Sequence, residues 1–368
     1  MSRDARTLRG ASPALVREAI DDRDPLPGSA GFAGEVDGRL VRDVLGRQPL
    51  FSEADDRFAW SFDPADLDDP VRVPAGVVRG RCGDERVWTL LNPPAASAAD
   101  ALDAVRAAVR TSVRELDPNG LAVAFSGGVD SALVAAGAPD APCYVAGFPD
   151  AHDVAAARAA AEAMGRDLRV VELAHADLER AIPAVVRATG RTNAMDVGIA
   201  LPLYLVAERA VADGFDRVAV GQGADELFGG YAKVANAPDD HRVEAETVRG
   251  ATREVIATLP NQLERDVLAL RAAGAEPVAP LLHDRVVEAA LSLPGPLLVS
   301  EGERKVALRR AGEGLIPESV ATADKKAVQY GSLVSRELDR LARRAGFKRR
   351  MDDHVGRYVR SLIETDGV

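Results

Sequence analysis

Residues Leu121–Ser131 read LAVAFSGGVDS, and this stretch decides the fold of the chain. An apolar run ends in Ser126, Gly127, Gly128 and Asp130, and a helix-like pattern of apolar residues follows directly. Glycine lets the backbone approach a bound group closely, and the first turn of a helix offers free N–H groups and a favourable dipole to an anion. The stretch therefore predicts a strand, an anion-binding turn and a helix.

The same turn differs from the P-loop, whose GxxxxGK[ST] pattern occurs nowhere in the chain. Taken alone, it also matches an ordinary glycine-rich turn between a strand and a helix. All fixed positions of Ser-Gly-Gly-x-Asp-Ser are present, however, and this form resembles the pyrophosphatase loop of N-type ATP pyrophosphatases. Those enzymes cleave ATP to AMP and pyrophosphate.

Length and composition limit the class of protein. A chain of 368 residues predicts two or three domains, and an apolar content of 47% is typical of a globular protein. No run of 18 uncharged apolar residues is present to span a membrane. The first six residues lack the apolar stretch of a signal peptide, so we expect a cytoplasmic protein.

The net charge and the number of cysteines argue against further classes of protein and of binding site. The net charge is −11, with acidic residues spread along the chain, which disfavours binding to nucleic acid. Only Cys82 and Cys143 occur, which excludes a disulfide framework and a cysteine-based zinc site, and the five histidines show no metal-ligand spacing. Lysine is scarce, which makes each lysine worth inspection; it occurs at positions 233, 305, 325, 326 and 348.

The pattern along the chain predicts an α/β protein. Residues 1–95 are rich in Gly, Pro and Asp and predict a small β-rich region. Residues 96–345 alternate strands with helices, which predicts a parallel sheet with helices on both faces. Predicted strands cover Leu121–Phe125, Cys143–Phe148, Leu168–Leu173 and Arg217–Gly221. Predicted helices cover 98–115, a segment from about 130, His152–Met164, 177–189 and 199–213. Residues 346–368 are predicted to form a basic C-terminal helix or tail. A basic amphipathic helix is predicted over 336–363, and the alternative there is a solvated surface helix.

A second motif, Gly221–Tyr231, reads GQGADELFGGY and follows the last predicted strand. The adjacent carboxylates of Asp225 and Glu226 suit a metal ligand and a substrate-site group, although an isolated glycine-rich turn with a capping Asp would read alike. Together, the two motifs resemble the synthetase domain of asparagine synthetase, over residues 115–335. The resemblance implies an adenine nucleotide alpha-hydrolase-like fold with a PP-loop.

Other segments extend the resemblance. Glu276 before Pro280-Leu281-Leu282, Lys305 before Leu308-Arg309, and the run Lys325–Ser332 are similar to segments of this family, the last especially to its archaeal and asparagine-synthetase-domain-containing branch. Residues 1–95 are similar to the tail half of its glutaminase domain. A glutaminase of this type needs a cysteine at residue two, where this chain has Ser2. We therefore expect a truncated, non-catalytic glutaminase-like region.

The resemblance also implies roles for individual residues and a pair of cofactors, ATP and Mg²⁺. The residues implied to bind ATP are Val123, Ser126, Gly127, Gly128, Asp130, Ser131, Phe148, Gly221 and Gly223, with Val123 and Phe148 around the adenosine. Mg²⁺ would be held by Asp130 and Asp225. Glu226 would contact the amino-acid substrate or ammonia, and the catalytic lysines would be Lys305 and one of Lys325 and Lys326.

The implied reaction is ATP-dependent amide formation. A carboxylate, with aspartate as the first candidate, is adenylated with release of pyrophosphate, and ammonia then displaces AMP to give asparagine. Ammonia would be free or come from a separate glutaminase subunit. Three residues depart from the family pattern and weaken the choice of aspartate: Gln222, Val278 and His283. The alternatives are another acyl-adenylating ligase of the same fold and a non-catalytic ATP-binding subunit.

Overall fold

The computed structural model describes residues 7–323 and 328–365, which fall into two compact units. Unit 1 contains the described residues of Met1–Leu116 together with Gly221–Glu264 and Ala279–Glu313. Unit 2 contains Asp117–Val220, Arg265–Val278 and the described residues of Gly314–Val368. The domain boundaries predicted after residues 95 and 345 stay a prediction. Among the described residues, no helix is both long and apolar enough to cross a membrane.

Unit 2 is built on a five-stranded parallel sheet, which confirms the predicted α/β class. Across the sheet the strands lie in the order Leu168–Glu172, Cys143–Gly147, Leu121–Ala124, Arg217–Ala219 and Glu276–Val278. Chain order reverses between the third and fourth of these, where Val123 is in register with Ala219. In open parallel sheets ligands bind beyond the carboxyl ends of strands at such a reversal. The Ser126–Ser131 turn follows the central strand at this position.

Helices flank this sheet. Those of unit 2 are Val129–Gly137, His152–Met164, His175–Thr189, Ala194–Ala212, the part of Leu259–Ala272 from Arg265 onward, Glu318–Ala321, Val328–Gly331, Val334–Arg344 and His354–Thr365. The Ala194–Ala212 helix packs on four of the five strands. It is buried along most of its length because its sequence is apolar on nearly all sides. Its start is fixed by Asn193, whose side chain accepts a hydrogen bond from the Asp196 N–H at 2.9 Å.

Two details of unit 2 differ from the sequence-based expectations. The prediction of a single helix over 336–363 is wrong, because the structure has two helices there, Val334–Arg344 and His354–Thr365. Gly346 lies between them with φ of +94°, a conformation that ends a helix. Both helices also bury apolar side chains, among them Leu338 and Val359, so neither is a fully solvated surface helix. The edge strand Glu276–Val278 was not predicted, since three residues are too few to show a period.

Unit 1 carries the β-rich N-terminal region, which confirms that prediction. Its main antiparallel sheet has the strand order Leu8–Arg9, Ala33–Val36, Arg39–Arg42, Val77–Gly80 and Gly83–Arg86. A second sheet has the order Trp60–Ser61, Phe51–Glu53 and Pro70–Arg72, and Val299–Ser300 pairs with Glu303–Arg304. The helices of this unit are Pro13–Asp21, Ala98–Arg114, Ala224–Leu227, Ala232–Ala235, Val248–Ala257, the start of Leu259–Ala272, Asp284–Leu291, Gly295–Leu298 and Val306–Ala311, with 3-10 turns at Pro64–Asp66, Ala237–Asp239 and Pro280–Leu282.

A buried ion-pair network explains why distant segments of the chain share unit 1. Arg47 Nη1 lies 2.7 Å from Asp284 Oδ1, and Arg47 Nε lies 2.9 Å from Asp43 Oδ1. The other oxygen of Asp284 accepts hydrogen bonds from the backbone N–H groups of Gly28 and Ser29. Charges taken out of water must be paired, so the N-terminal region and the Asp284–Leu291 helix depend on each other.

Candidate functional site

The Ser126–Ser131 turn of unit 2 has the geometry expected for a phosphate-binding turn. Gly127 has φ of +76°, and a Cβ there would lie 2.5 Å from the carbonyl oxygen of Ala156. Only glycine fits, because any side chain would meet the backbone of the His152–Met164 helix. Gly128 is the N-cap of the Val129–Gly137 helix and offers no side-chain cap for its first N–H groups. The helix start therefore suits an external anion.

Two hydroxyls and one carboxylate complete this turn. The Ser126 N–H donates to Ser131 Oγ at 3.2 Å, and the Ser131 hydroxyl donates to the Gly128 carbonyl oxygen at 3.2 Å. The two serine hydroxyls lie 3.4 Å apart. Asp130, in the first helical turn, is 3% exposed. The structure thus brings Ser126, Ser131 and the glycines together as one turn, with a carboxylate beside them in sequence.

The two residues expected around adenosine also lie in unit 2. Val123 is fully buried in the central strand. Phe148 follows the Cys143–Gly147 strand; its N–H donates to the Ser332 carbonyl oxygen at 3.2 Å, and its ring centroid is 5.8 Å from that of His175. Phe148 is therefore held at the carboxyl end of its strand. Lys325 and Lys326, which precede Ser332 in the chain, lie outside the described residues.

The second motif belongs to unit 1, where a lysine joins it. Gly221 and Gly223 precede the short Ala224–Leu227 helix, and Gly223 has φ of +89°. Lys305 Nζ lies 2.6 Å from Asp225 Oδ1; the lysine side chain is 8% exposed and the aspartate side chain 41%. Lys305 itself has φ of +60° and caps the Val306–Ala311 helix. Asp225, Glu226 and Lys305 therefore form one charged cluster.

Glu226 is buried beside this ion pair. Its Oε1 accepts a hydrogen bond of 2.5 Å from the Tyr231 hydroxyl, which also lies 3.3 Å from Gln262 Oε1. Burial and the charge of Asp225 raise the pKa of Glu226 to about 7, against the opposing effects of the Tyr231 hydrogen bond and the Lys305 charge. A carboxyl group with this pKa exchanges a proton readily near neutral pH.

Three residues of this cluster were not assigned a role from the sequence. Tyr231 binds Glu226, and Arg304 Nη1 donates to the Gly230 carbonyl oxygen at 2.7 Å. A Cβ on Gly230 would lie 2.0 Å from Asp225 Oδ1 and 2.5 Å from the Lys305 Cε. Gly230 is therefore required for the close approach of Lys305 to Asp225. The available signal was the Gly229-Gly230-Tyr231 sequence at the end of the motif.

The donor chemistry of both units suits the groups that the sequence predicts. Carboxylate oxygens, as in Asp130 and Asp225, are the protein ligands that Mg²⁺ prefers, and the ion usually takes phosphate oxygens as well. Within the ranges that the structure describes, no three His, Cys, Asp or Glu side chains form a group able to hold a metal on their own.

Comparison with known proteins identifies the family. The asparagine synthase family model matches residues 100–249 and 235–361. A protein of Methanocaldococcus jannaschii named as a glutamine-hydrolysing asparagine synthetase 1 is 30% identical over 296 residues, covering 71% of this chain and 54% of that protein. Asparagine synthetase B of Escherichia coli is 31% identical over 132 residues, 35% of this chain and 23% of its own length. The nodule asparagine synthetase of Pisum sativum is 30% identical over 141 residues, 34% of this chain and 24% of its own length.

These alignments reach at most about half of the curated relatives' length. A solved structure of NMN synthetase from Francisella tularensis is 14% identical with a TM-score of 0.32, covering 74% of this chain and 95% of that one, a likeness too low to bear on function. The family model, by contrast, covers most of the chain and both motifs. The chain belongs to the asparagine synthase family.

Proposed function

We propose that this protein is an ATP-dependent ligase that activates a carboxylate as an acyl-adenylate and then converts it to an amide with ammonia. The observation that carries this function is the Ser126–Ser131 turn. It lies where the order of the strands reverses, and it leads into the Val129–Gly137 helix, whose first N–H groups have no side-chain cap. Family membership and the charged cluster of Asp225, Glu226 and Lys305 support it.

The first step forms an acyl-adenylate. An oxygen of the substrate carboxylate attacks the α-phosphorus of ATP, the bond from that phosphorus to the bridging oxygen breaks, and pyrophosphate leaves. Ser126, Ser131 and the backbone N–H groups that follow Gly128 would bind the phosphates, with Val123 and Phe148 near the adenosine. Asp130 and Asp225 would hold Mg²⁺, which neutralises phosphate charge when bound. Lys305 would stabilise the negative charge that develops around the α-phosphate.

The second step forms the amide. The nitrogen of ammonia attacks the acyl carbon, the bond to AMP breaks, and the nitrogen loses a proton. Glu226 suits the acceptor of that proton, because burial and the Asp225 charge raise the pKa of this carboxyl to about 7. Lys325 or Lys326 would add a further positive charge, a role carried over from the family resemblance alone.

Aspartate is our first candidate for the acceptor carboxylate, with asparagine as the product. Gln222, Val278 and His283, which depart from the family pattern, favour a second candidate: a different carboxylate activated by the same chemistry. In the structure His283 caps the Asp284–Leu291 helix through its Nδ1, so its ring has a structural use. We further propose that residues 1–95 have no glutaminase activity, and that ammonia is free or comes from a separate glutaminase subunit.

The test is a stoichiometric assay. Purified protein with ATP, Mg²⁺, aspartate and ammonium should release AMP and pyrophosphate in equal amounts and form asparagine. If aspartate is inactive, a panel of other carboxylates in the same assay separates a different acceptor from a protein that only binds ATP. Pyrophosphate release with no carboxylate at all would contradict the ligase. Glutamine alone should give no amide, and product from pure glutamine would contradict the proposal that residues 1–95 have no glutaminase activity.

A further inference from the structure

A cavity of about 630 Å³ lies within unit 1 and contains none of the residues assigned to ATP or to the acceptor carboxylate. Its volume falls in the range of small-molecule sites, about 300–1,000 Å³. The walls come from the β-rich region and from the Val248–Ala257 helix and the residues after it. Apolar side chains form much of the lining: Val44, Leu45, Trp88, Leu90, Ile256 and Pro260. Such walls suit the apolar body of a ligand.

The charge of this cavity is opposite to that of the protein. Four arginines line it, Arg42, Arg72, Arg86 and Arg253, and none of the Asp and Glu residues that the structure describes does. The whole chain, in contrast, has a net charge of −11. Four guanidinium groups around one space raise the local positive potential, which attracts anions.

Two of these arginines are largely neutralised by the protein itself. Arg42 is fully buried and donates to the backbone carbonyl oxygens of Gly46, Gln48 and Val73. Arg72 Nε lies 2.5 Å from Glu264 Oε2, and Arg42 Nη2 lies 3.7 Å from the same oxygen. These two cations therefore share one buried carboxylate and have a structural use.

The other two arginines have only carbonyl partners among the described residues. Arg86 Nη1 donates to the Ala75 carbonyl oxygen at 3.1 Å, and Arg253 Nη2 donates to the Leu91 carbonyl oxygen at 3.2 Å. Over the described part of the chain, neither forms an ion pair with a carboxylate. Burial, and secondarily the nearby Arg249, lower the pKa of Arg253, as expected for a cation that lacks a counter-charge. An anion bound in the cavity would supply this counter-charge.

We propose that this cavity binds a small-molecule carboxylate with an apolar body. The planar fork of a guanidinium matches a carboxylate in two parallel hydrogen bonds, so Arg86 and Arg253 would bind the head group. The apolar body would pack against Val44, Leu90 and Pro260, which are only partly buried. This site is separate from the proposed ligase chemistry and depends on none of it.

The experiment uses 3-phenylpropanoate as the probe and 3-phenylpropan-1-ol as its uncharged match. The chain has two tryptophans, so in a Trp60→Phe protein the fluorescence reports on Trp88 alone. Calorimetry on the unmodified chain measures the stoichiometry. We expect one site, with the carboxylate binding at least about tenfold more tightly than the alcohol, and about tenfold weaker binding in Arg86→Gln and in Arg253→Gln.

Arg114→Gln is the matched control, because Arg114 is an exposed arginine of unit 1 that does not line the cavity. It should bind like the unmodified chain. If an arginine variant fails to fold, Ala257→Phe provides an independent test: it adds bulk at an exposed lining position, keeps every arginine, and should abolish binding. Equal binding of the alcohol, no binding at millimolar probe, or binding indifferent to these cavity variants would overturn the site.

Discussion

Lys305 Nζ lies 2.6 Å from Asp225 Oδ1, and the approach is possible only because Gly230 has no side chain between them. The two partners are 80 positions apart in the chain, and each sits at the start of a short helix. This pair connects Lys305, one of the few lysines of the chain, to the Gly221–Tyr231 motif of unit 1. It is the relationship that most directly supports a charged reaction site there.

Lys305→Met should abolish most of the proposed activity and leave the fold intact. The methionine keeps the length of the side chain but removes the charge expected to stabilise the α-phosphate, so we expect pyrophosphate release to fall by about 10²–10³-fold. Thermal unfolding should shift by only a few degrees, because the Asp225 side chain that loses its partner is 41% exposed. Lys348→Met, at an exposed lysine of unit 2, is the control and should keep full activity. Equal activity of both variants would remove Lys305 from the mechanism.

The free energy of unfolding should depend on pH through the titration of Glu226. Burial and the charge of Asp225 raise the pKa of this carboxyl from 4.5 to about 7, so the folded state favours its protonated form. The stabilising contribution is therefore complete below pH 4.5 and is lost as the pH rises through about 7. Glu226→Gln keeps an acceptor for Tyr231 but cannot ionise. The free energy of unfolding of the unmodified chain, relative to this variant, should fall by on the order of 3 kcal/mol across that range.

Urea unfolding of both proteins at pH 5, 6, 7 and 8 measures this difference. Tyr231→Phe serves as a companion variant, because it removes a hydrogen bond that lowers the pKa of Glu226. In that background the loss of stability should occur at a higher pH. A constant difference between the unmodified chain and Glu226→Gln at all four pH values would contradict the raised pKa.

Gly127→Ala should damage the Ser126–Ser131 turn far more than an ordinary glycine substitution. The new Cβ would combine the strain of a positive φ with a 2.5 Å contact to the Ala156 carbonyl oxygen, which belongs to helix backbone and cannot move aside. Gly165→Ala is the control within unit 2: its φ is +61°, but nothing lies within 4 Å of the added atom. The control should lose about 1–2 kcal/mol in urea unfolding.

Gly127→Ala should lose clearly more stability than that control, and calorimetry should show that it no longer binds ATP. The Gly165→Ala protein should bind ATP like the unmodified chain. If both variants keep equal stability and equal affinity for ATP, the close packing of the turn on the His152–Met164 helix has no role in binding.

Asp284→Ala should destabilise unit 1 severely. It leaves Arg47, 4% exposed, without one of its two carboxylates and frees three donors from Gly28 and Ser29. Breaking a buried pair in this way costs about 3–5 kcal/mol. Arg17→Ala breaks the exposed pair with Asp37, whose side chains are about half exposed, and should cost less than about 1 kcal/mol. Chemical denaturation of both variants checks the contrast, and similar losses would show that the Asp284 network is not structural.

Local chemistry made much of the fold predictable. The His152–Met164 helix was predicted with both ends correct, and the four predicted strands of the parallel sheet end within two residues of the observed ones. Apolar spacing and flanking glycines set such elements, and both signals are read within a dozen residues. The break at Gly346 was missed because amphipathic spacing continues on both sides of it.

What the sequence determined by itself was therefore the alternation of strands and helices, the Ser126–Ser131 turn and the carboxylates of the second motif, since each depends on neighbours in the chain. Only the tertiary structure decided which residues far apart in the chain contact one another. Arg47 meets Asp284 across 237 positions, and the Glu276–Val278 strand joins the sheet through its pairing with Arg217–Ala219. Lys305 reaches Asp225 in the same way. Such contacts follow from how elements pack in space, and no local period or propensity encodes which distant side chain will neutralise a buried charge.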